Sequence, residues 1–330
     1  MSHYRALQAE TVKFRGHNGD QGEAYYAKPL AVGKYSGIVV IHHLPGWDEW
    51  IMEVVRKLAH HGYAAISPHL YFREGSESPD DLGARVRAAG GVADAQVVGD
   101  VAGAMAYLRA QPNATGKIGV IGFCSGGRHA YLVACTLSGI DDCWGGNVIV
   151  DNPKDLNDKR PIAPIDLTGK LNCPLLGIFG NDDGNPTADQ VNRTEAVLKR
   201  LGKNYEFYRY NGAGHAFFNT WRDAYRPEQA LDGWKKVFAF FARHLASSAT
   251  RIRRRVSLQT RDKDLGLSSC AATSWKRPLS SAAPKAVKGG CGLTPPMFIS
   301  IIRIIRRLTT FLRSTSPTKA RADATAWRSN

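Results

Sequence analysis

The chain has 330 residues, 43% of them hydrophobic, enough to bury one large core. Its net charge of +15 is concentrated at one end: residues 251–330 hold 17 of the 44 Lys and Arg and 3 of the 29 Asp and Glu, leaving 27 and 26 for residues 1–250. The first 250 residues are therefore electrostatically ordinary, and a nucleic-acid-binding role would rest on the tail alone, whose Trp275, Phe298, Phe311 and Trp327 are scattered rather than interleaved with its charges.

The elements follow in chain order. "TVKFRG" and "GEAYYAKP" read as a hairpin across Asn18-Gly19. "GIVVIHH", an unbroken apolar run before Pro45-Gly46, suits a strand buried on both faces of a parallel sheet. In "EWIMEVVRKLAHHG" Ile51, Val54, Val55 and Leu58 share one helical face, with Gly62 as the stop. The strand "YAAISPHL", the helix "DAQVVGDVAGAMAYLRAQ" and the strand "KIGVIGF" come next. "GGRHAYLVACTL" is helical, "CWGGNVIV" strand-like, and "PLLGIFGN" another buried strand. A helix capped by Thr187, the strand "YEFYRYNG" and a closing helix with Pro227 near its start complete the pattern. Strands alternating with helices predict an α/β fold, a doubly wound, mostly parallel sheet with helices on both faces.

The pattern stops after Leu245. We read residues 1–248 as one domain and 249–330 as a basic tail whose Ser, Ala, Pro and Gly content argues against a packed core. Within it, residues 297–313 could form a short basic amphipathic helix, which would allow membrane or protein contact through the tail. The opening "MSHYRALQAE" lacks the apolar stretch of a secretory signal, no run of 18 apolar residues suggests a transmembrane helix, and the six cysteines form no CxxC pair. A cytoplasmic, reduced protein is the expectation.

Chemistry concentrates at "IGFCSGG". Gly122-Phe123-Cys124-Ser125-Gly126 matches G-x-nucleophile-x-G between a strand and a helix, the context of a nucleophile elbow. The bland alternative for Cys124 is core packing, which is the expectation for Cys135 on the following helix. On an elbow, the helix N-terminus favours a thiolate, and the Ser125 N–H faces a developing oxyanion. The chain order nucleophile, acid, histidine then selects Asp182, 58 residues beyond Cys124, and His215, 33 residues further on; each follows a strand. His215 would exchange a proton with the sulfur and Asp182 would orient it.

The blocks "VIGFCSGG", "GIFGNDDGNP", "GAGHAFFN" and "PEQALDGWKKVFAFFARHL", with "HGYAAISPHLYFREG", resemble the dienelactone hydrolase family of α/β-hydrolases over roughly residues 10–245. The resemblance implies the α/β-hydrolase fold and hydrolysis of a small-molecule lactone or ester through an acyl-enzyme on Cys124, with no metal and no organic cofactor. It also marks two departures. His43 stands where members carry a glutamate that tunes the thiol, making His43 a thiol-tuning candidate and Leu44 the candidate for the second oxyanion N–H. Asn219 stands where they carry an arginine for a substrate carboxylate. Arg73 is the candidate replacement for substrate binding, whereas Arg85 and Arg87 read as solvated surface charges. Adjacent His42 and His43 would point to opposite faces of a strand and make no metal pair.

The sequence thus predicts a Cys-His-Asp ester or lactone hydrolase. Two alternatives stay open: thioesterase or acyltransferase chemistry on the same residues, and a non-catalytic hydrolase-fold binding protein anchored by its tail.

Overall fold

A computed structural model describes residues 6–146 and 156–245, without the side chains of 144–146. The boundary at 248 and the helix at 297–313 lie outside the described residues. Eight strands form one sheet: β1 (Leu7–Arg15), β2 (Gln21–Pro29), β3 (Tyr35–Ile41), β4 (Ala64–Pro68), β5 (Ala114–Phe123), β6 (Asp142–Gly146), β7 (Leu175–Gly180) and β8 (Tyr205–Tyr210), in the spatial order β1-β2-β4-β3-β5-β6-β7-β8. The pairs from β4 through β8 are parallel, while β1 and β2 are antiparallel to each other and β2 to β4. The hairpin forms as expected, with Arg15 opposite Gln21 and both Asn18 (φ 56°) and Gly19 (φ 83°) left-handed in the turn.

Alternation along the buried strands explains the two cores. Val39 and Ile41 of β3, Ile118 and Val120 of β5, and Leu175 and Phe179 of β7 face one side. There they meet α2 (Pro79–Ala88), α3 (Asp94–Ala110), α4 (Ser125–Thr136) and α5 (Ala188–Arg200). Ile38 and Val40, Ile121 and Phe123, and Leu176 and Ile178 face the other side, against α1 (Glu49–His60) and α6 (Pro227–His244). Such runs can be apolar throughout only because helices cover both faces.

Local signals set the helix starts. The Asp48 carboxylate accepts the Ile51 N–H at 3.0 Å to cap α1, Thr187 and Gln190 form a capping box on α5, and Pro227 opens α6. Helix α2 is the element the sequence reading does not predict. Only Leu82, Gly83 and Val86 of it are buried, too short a stripe to register as a period. Among the described residues, no helix is long and apolar enough to cross a membrane.

Candidate active site

The site lies at the carboxyl edge of the sheet, where β3, β5, β7 and β8 end. Between β5 and α4, Cys124 has φ 53° and ψ −123°, a region non-glycine residues rarely occupy and one that costs on the order of 1–3 kcal/mol. Packing enforces this turn. A Cβ on Gly122 would lie 2.0 Å from the Gly126 carbonyl oxygen, and one on Gly126 would lie 2.3 Å from the Ile41 oxygen. The two glycines of the motif let α4 turn back onto β5 and β3, and the turn lifts the partly exposed Cys124 sulfur clear of the core. By contrast, Cys135 is buried on α4 as expected, and burial pushes its thiol up to about 12.

His215 follows β8, and its Nε2 lies 3.0 Å from Cys124 Sγ. Its Nδ1 lies 3.1 and 3.2 Å from the two carboxylate oxygens of Asp183. The sequence expectation of Asp182 is corrected here by one residue. The Asp182 N–H is drawn to the Ala213 carbonyl at 3.0 Å, and its side chain is left exposed. One residue further in the same turn, Asp183 points into the site, where its side chain is 1% exposed. Asp183 also accepts the Asn185 N–H at 2.8 Å. Its hydrogen bond to His215, then that of Cys124, pushes the imidazole up to about 10, so His215 is cationic at neutral pH. A close backbone approach aligns the two loops: a Cβ on Gly180 would lie 2.1 Å from the Ala213 oxygen.

Ser125 and Leu44 both line the cavity above Cys124. Neither backbone N–H makes a hydrogen bond among the described residues, as an oxyanion donor requires. His43 borders a second, small cavity with Cys124, Trp50 and Phe218. Its Nε2 lies 2.7 Å from Asp48 Oδ2, so the carboxylate that caps α1 also holds this histidine at the cavity it shares with Cys124. His42 faces the opposite way, against Tyr71, as alternation along a strand predicts.

The main cavity measures about 650 Å³. Besides Asp183 and His215 it is lined by Arg87, Arg128 and Arg160, with Gly91 and Asn157. Arg128 is buried and forked onto Asp94 at 2.6 and 3.0 Å. Arg160 occupies the space a side chain at Gly91 would need, since a Cβ there would lie 1.7 Å from its Nη2. Asn157 Nδ2 donates to the Gly90 carbonyl at 3.1 Å and Lys159 Nζ to the Ala89 carbonyl at 2.9 Å, which binds this loop to the turn after α2. One expectation is corrected. Arg73 does not line the cavity: it forks onto the fully buried Asp100 at 2.8 and 3.0 Å and reaches Asp20 at 2.7 Å. Arg87 is exposed, as expected of a surface charge, and also borders the cavity. Arg128 and Arg160 were missed; Gly90-Gly91 was the available signal, because both adopt positive φ. Among the described residues no group of three or more His, Cys, Asp and Glu could hold a metal ion.

A part-exposed elbow residue, a histidine and a carboxylate, each at the end of a parallel strand in a doubly wound sheet, define an α/β-hydrolase. The profile of the dienelactone hydrolase family matches residues 23–245, and the chain belongs to that family. It is accordingly a hydrolase of lactones or carboxylic esters. It is 34% identical over 227 residues to a Methylorubrum extorquens protein provisionally assigned as a carboxymethylenebutenolidase, covering 67% of this chain and 76% of the relative. A Bradyrhizobium protein provisionally assigned as a 2-oxo-3-(5-oxofuran-2-ylidene)propanoate lactonase is 29% identical, over 71% of this chain and 94% of the relative. The crystal structure of a protein from Klebsiella pneumoniae, provisionally assigned as a dienelactone hydrolase, superposes with a TM-score of 0.67 at 29% identity, over 72% of this chain and 99% of that one.

Proposed function

We propose that the chain hydrolyses lactones or esters by covalent catalysis on Cys124, with His215 as proton carrier and Asp183 as its orienting carboxylate. The observation that carries this reading is the continuous chain from the Asp183 carboxylate through His215 to Cys124 Sγ, on an elbow that packing holds. The Cys124 thiolate adds to the acyl carbon, and the carbonyl electron pair moves to oxygen, opposite the N–H groups of Ser125 and Leu44. Collapse breaks the acyl C–O bond, and the imidazolium of His215 protonates the departing alkoxide; in a lactone the ring opens. Neutral His215 then takes a proton from water as it attacks the thioester, and the thiolate of Cys124 leaves. A thiolate is a good leaving group, so the cycle suits activated acyl groups.

The arginine wall supports a substrate that carries an acid group. Arg87 and Arg160 line the same cavity as Cys124 and His215, whereas Asn219, which offers no charge, borders the smaller one. His43, held by Asp48 at the cavity it shares with Cys124, is the residue we assign to tuning the thiol in place of the family glutamate.

Turnover of p-nitrophenyl acetate and of a dienelactone tests the reading, with iodoacetamide labelling read by peptide mass spectrometry. Cys124→Ala and His215→Ala should each abolish turnover, and Cys124 should alkylate far faster than Cys135 at neutral pH. Undiminished turnover in Cys124→Ala would falsify the covalent mechanism.

A further inference from the structure

The candidate oxyanion donor on Leu44 sits in a loop, yet its peptide is clamped. The carbonyl oxygen of the preceding residue, His43, belongs to the same peptide plane as the Leu44 N–H. That oxygen accepts from two donors, His42 Nδ1 at 2.8 Å and the Gly46 N–H at 3.0 Å. In a trans peptide the C=O and N–H point in opposite directions, so a fixed His43 carbonyl fixes the direction of the Leu44 N–H. The next peptide is held as well, with the Tyr71 hydroxyl donating to the Leu44 carbonyl at 3.1 Å. Gly83 leaves room for that carbonyl, since a Cβ there would lie 2.5 Å from the Leu44 oxygen.

His42 is suited to this task. It is 1% exposed, and both ring nitrogens are engaged. The Leu70 N–H donates to Nε2 at 3.2 Å, which sets the tautomer and puts the ring proton on Nδ1, toward the His43 oxygen. The ring stands edge-on to Tyr71, with centroids 4.6 Å apart, so it cannot swing away. Burial, first, pushes this imidazole down to about 3, and the ring stays neutral at any working pH.

We propose that His42 is a positioning residue of the hydrolase: it aims the Leu44 N–H at the oxyanion by holding the His43 carbonyl through Nδ1. The proposal rests on the covalent reading above, because it needs an oxyanion for Leu44 to face. A hydrogen bond to the carbonyl also polarises the amide, which strengthens its N–H as a donor. Loss of an oxyanion donor outright costs roughly 10²–10³ in kcat, so loosening one should cost about tenfold.

Two substitutions separate the ring nitrogens. His42→Asn keeps a side-chain N–H near the Nδ1 position, whereas His42→Gln keeps an acceptor near the Nε2 position and loses the Nδ1 donor. The assay is kcat and KM for p-nitrophenyl acetate, normalised to the number of Cys124 sites that iodoacetamide alkylates. A second probe is inhibition by 2,2,2-trifluoroacetophenone. The sulfur adds to its carbonyl carbon, the carbonyl electron pair moves to oxygen, and no group leaves, so the inhibitor reads oxyanion binding.

The expected result is a fall of about tenfold in kcat for His42→Gln with KM little changed, and inhibition weakened by a similar factor. Its alkylation rate should match wild type, because alkylation makes no oxyanion. His42→Asn should recover most of kcat. Wild-type kcat and inhibition in His42→Gln, with Cys124→Ala inactive, overturns the proposal and leaves the covalent reading standing. An active Cys124→Ala removes both. Should His42→Gln fail to fold, a fall of more than about tenfold in His42→Asn overturns the proposal, because that variant keeps the donor held to matter.

Discussion

The two walls of the cavity are built differently. The Cys124, His215 and Asp183 wall stands on strand ends, where backbone touches backbone and three contacts exclude even a Cβ, at Gly122, Gly126 and Gly180. The arginine wall stands on connections: α4 supplies Arg128, the end of α2 supplies Arg87, and a loop tied to the turn at Ala89–Gly91 supplies Arg160. A sheet edge fixes a residue to within a fraction of an ångström, which bond-making needs. Loops can vary without disturbing the core, so they suit the wall that selects the substrate. Reactivity and selectivity thus belong to different structural layers.

The largest effect should come from breaking the rigid wall. Gly126→Ala pushes a methyl group into the Ile41 and His42 carbonyl oxygens, 2.3 and 2.5 Å away. Backbone cannot yield there cheaply, and we expect a loss of about 3 kcal/mol or more, read from urea unfolding, with activity abolished. Wild-type stability in this variant would mean the elbow is looser than its contacts. Next in size is the carboxylate. Asp183→Asn should lower kcat by roughly 10²-fold or more, since the orientation of the imidazole and the stabilisation of its charge are both lost. Asp182→Asn, exposed and away from His215, should stay within about twofold of wild type. The reverse ranking would restore the adjacent residue.

The third effect tests the arginine wall. Arg160→Met should reduce kcat/KM for an acid-bearing lactone by about tenfold, the equivalent of one charge-assisted hydrogen bond of roughly 1.5 kcal/mol. For neutral p-nitrophenyl acetate it should change little. Arg73→Met gives the contrast: it leaves Asp100 buried and unpaired, so it should destabilise the fold by about 3 kcal/mol while leaving KM alone. A KM effect at Arg73 without a stability effect would restore it as a substrate contact.

The same contrast decides what could be read from the sequence. The sheet was legible because "GIVVIHH", "KIGVIGF" and "PLLGIFGN" are apolar without interruption and bounded by turn residues. Cys124 was legible because it immediately follows such a strand, and His215 because it stands in the loop that follows the last strand, β8. Asp183 was not separable from Asp182 by spacing: the choice depends on which backbone N–H the Ala213 carbonyl captures, a contact between loops 31 residues apart. Arg128 and Arg160 were invisible for the same reason. Asp94 meets Arg128 across 34 residues, and Gly91 meets Arg160 across about twice that span. Charge on a helix or in a loop reads as surface until a partner or a glycine shows where it lies.

The smallest effect concerns the proton that His215 carries. Its folded value is about 10, raised by the Asp183 hydrogen bond and then by that of Cys124, against an ordinary value of 6.5. A group raised on folding stabilises the fold fully below its unfolded value, and that contribution fades as pH climbs toward the folded one. The stabilisation should therefore be complete below about pH 6.5 and gone near pH 10. The side chain is 38% exposed, so water screens the interaction and the effect will be modest. Urea midpoints of wild type and His215→Gln, measured at pH 6, 8 and 10, check the sign. The gap between them should narrow steadily as pH rises. A gap that holds constant would show that Asp183 and Cys124 position the imidazole without favouring its charged form, and a proton held ready for the leaving group would then have to come from elsewhere.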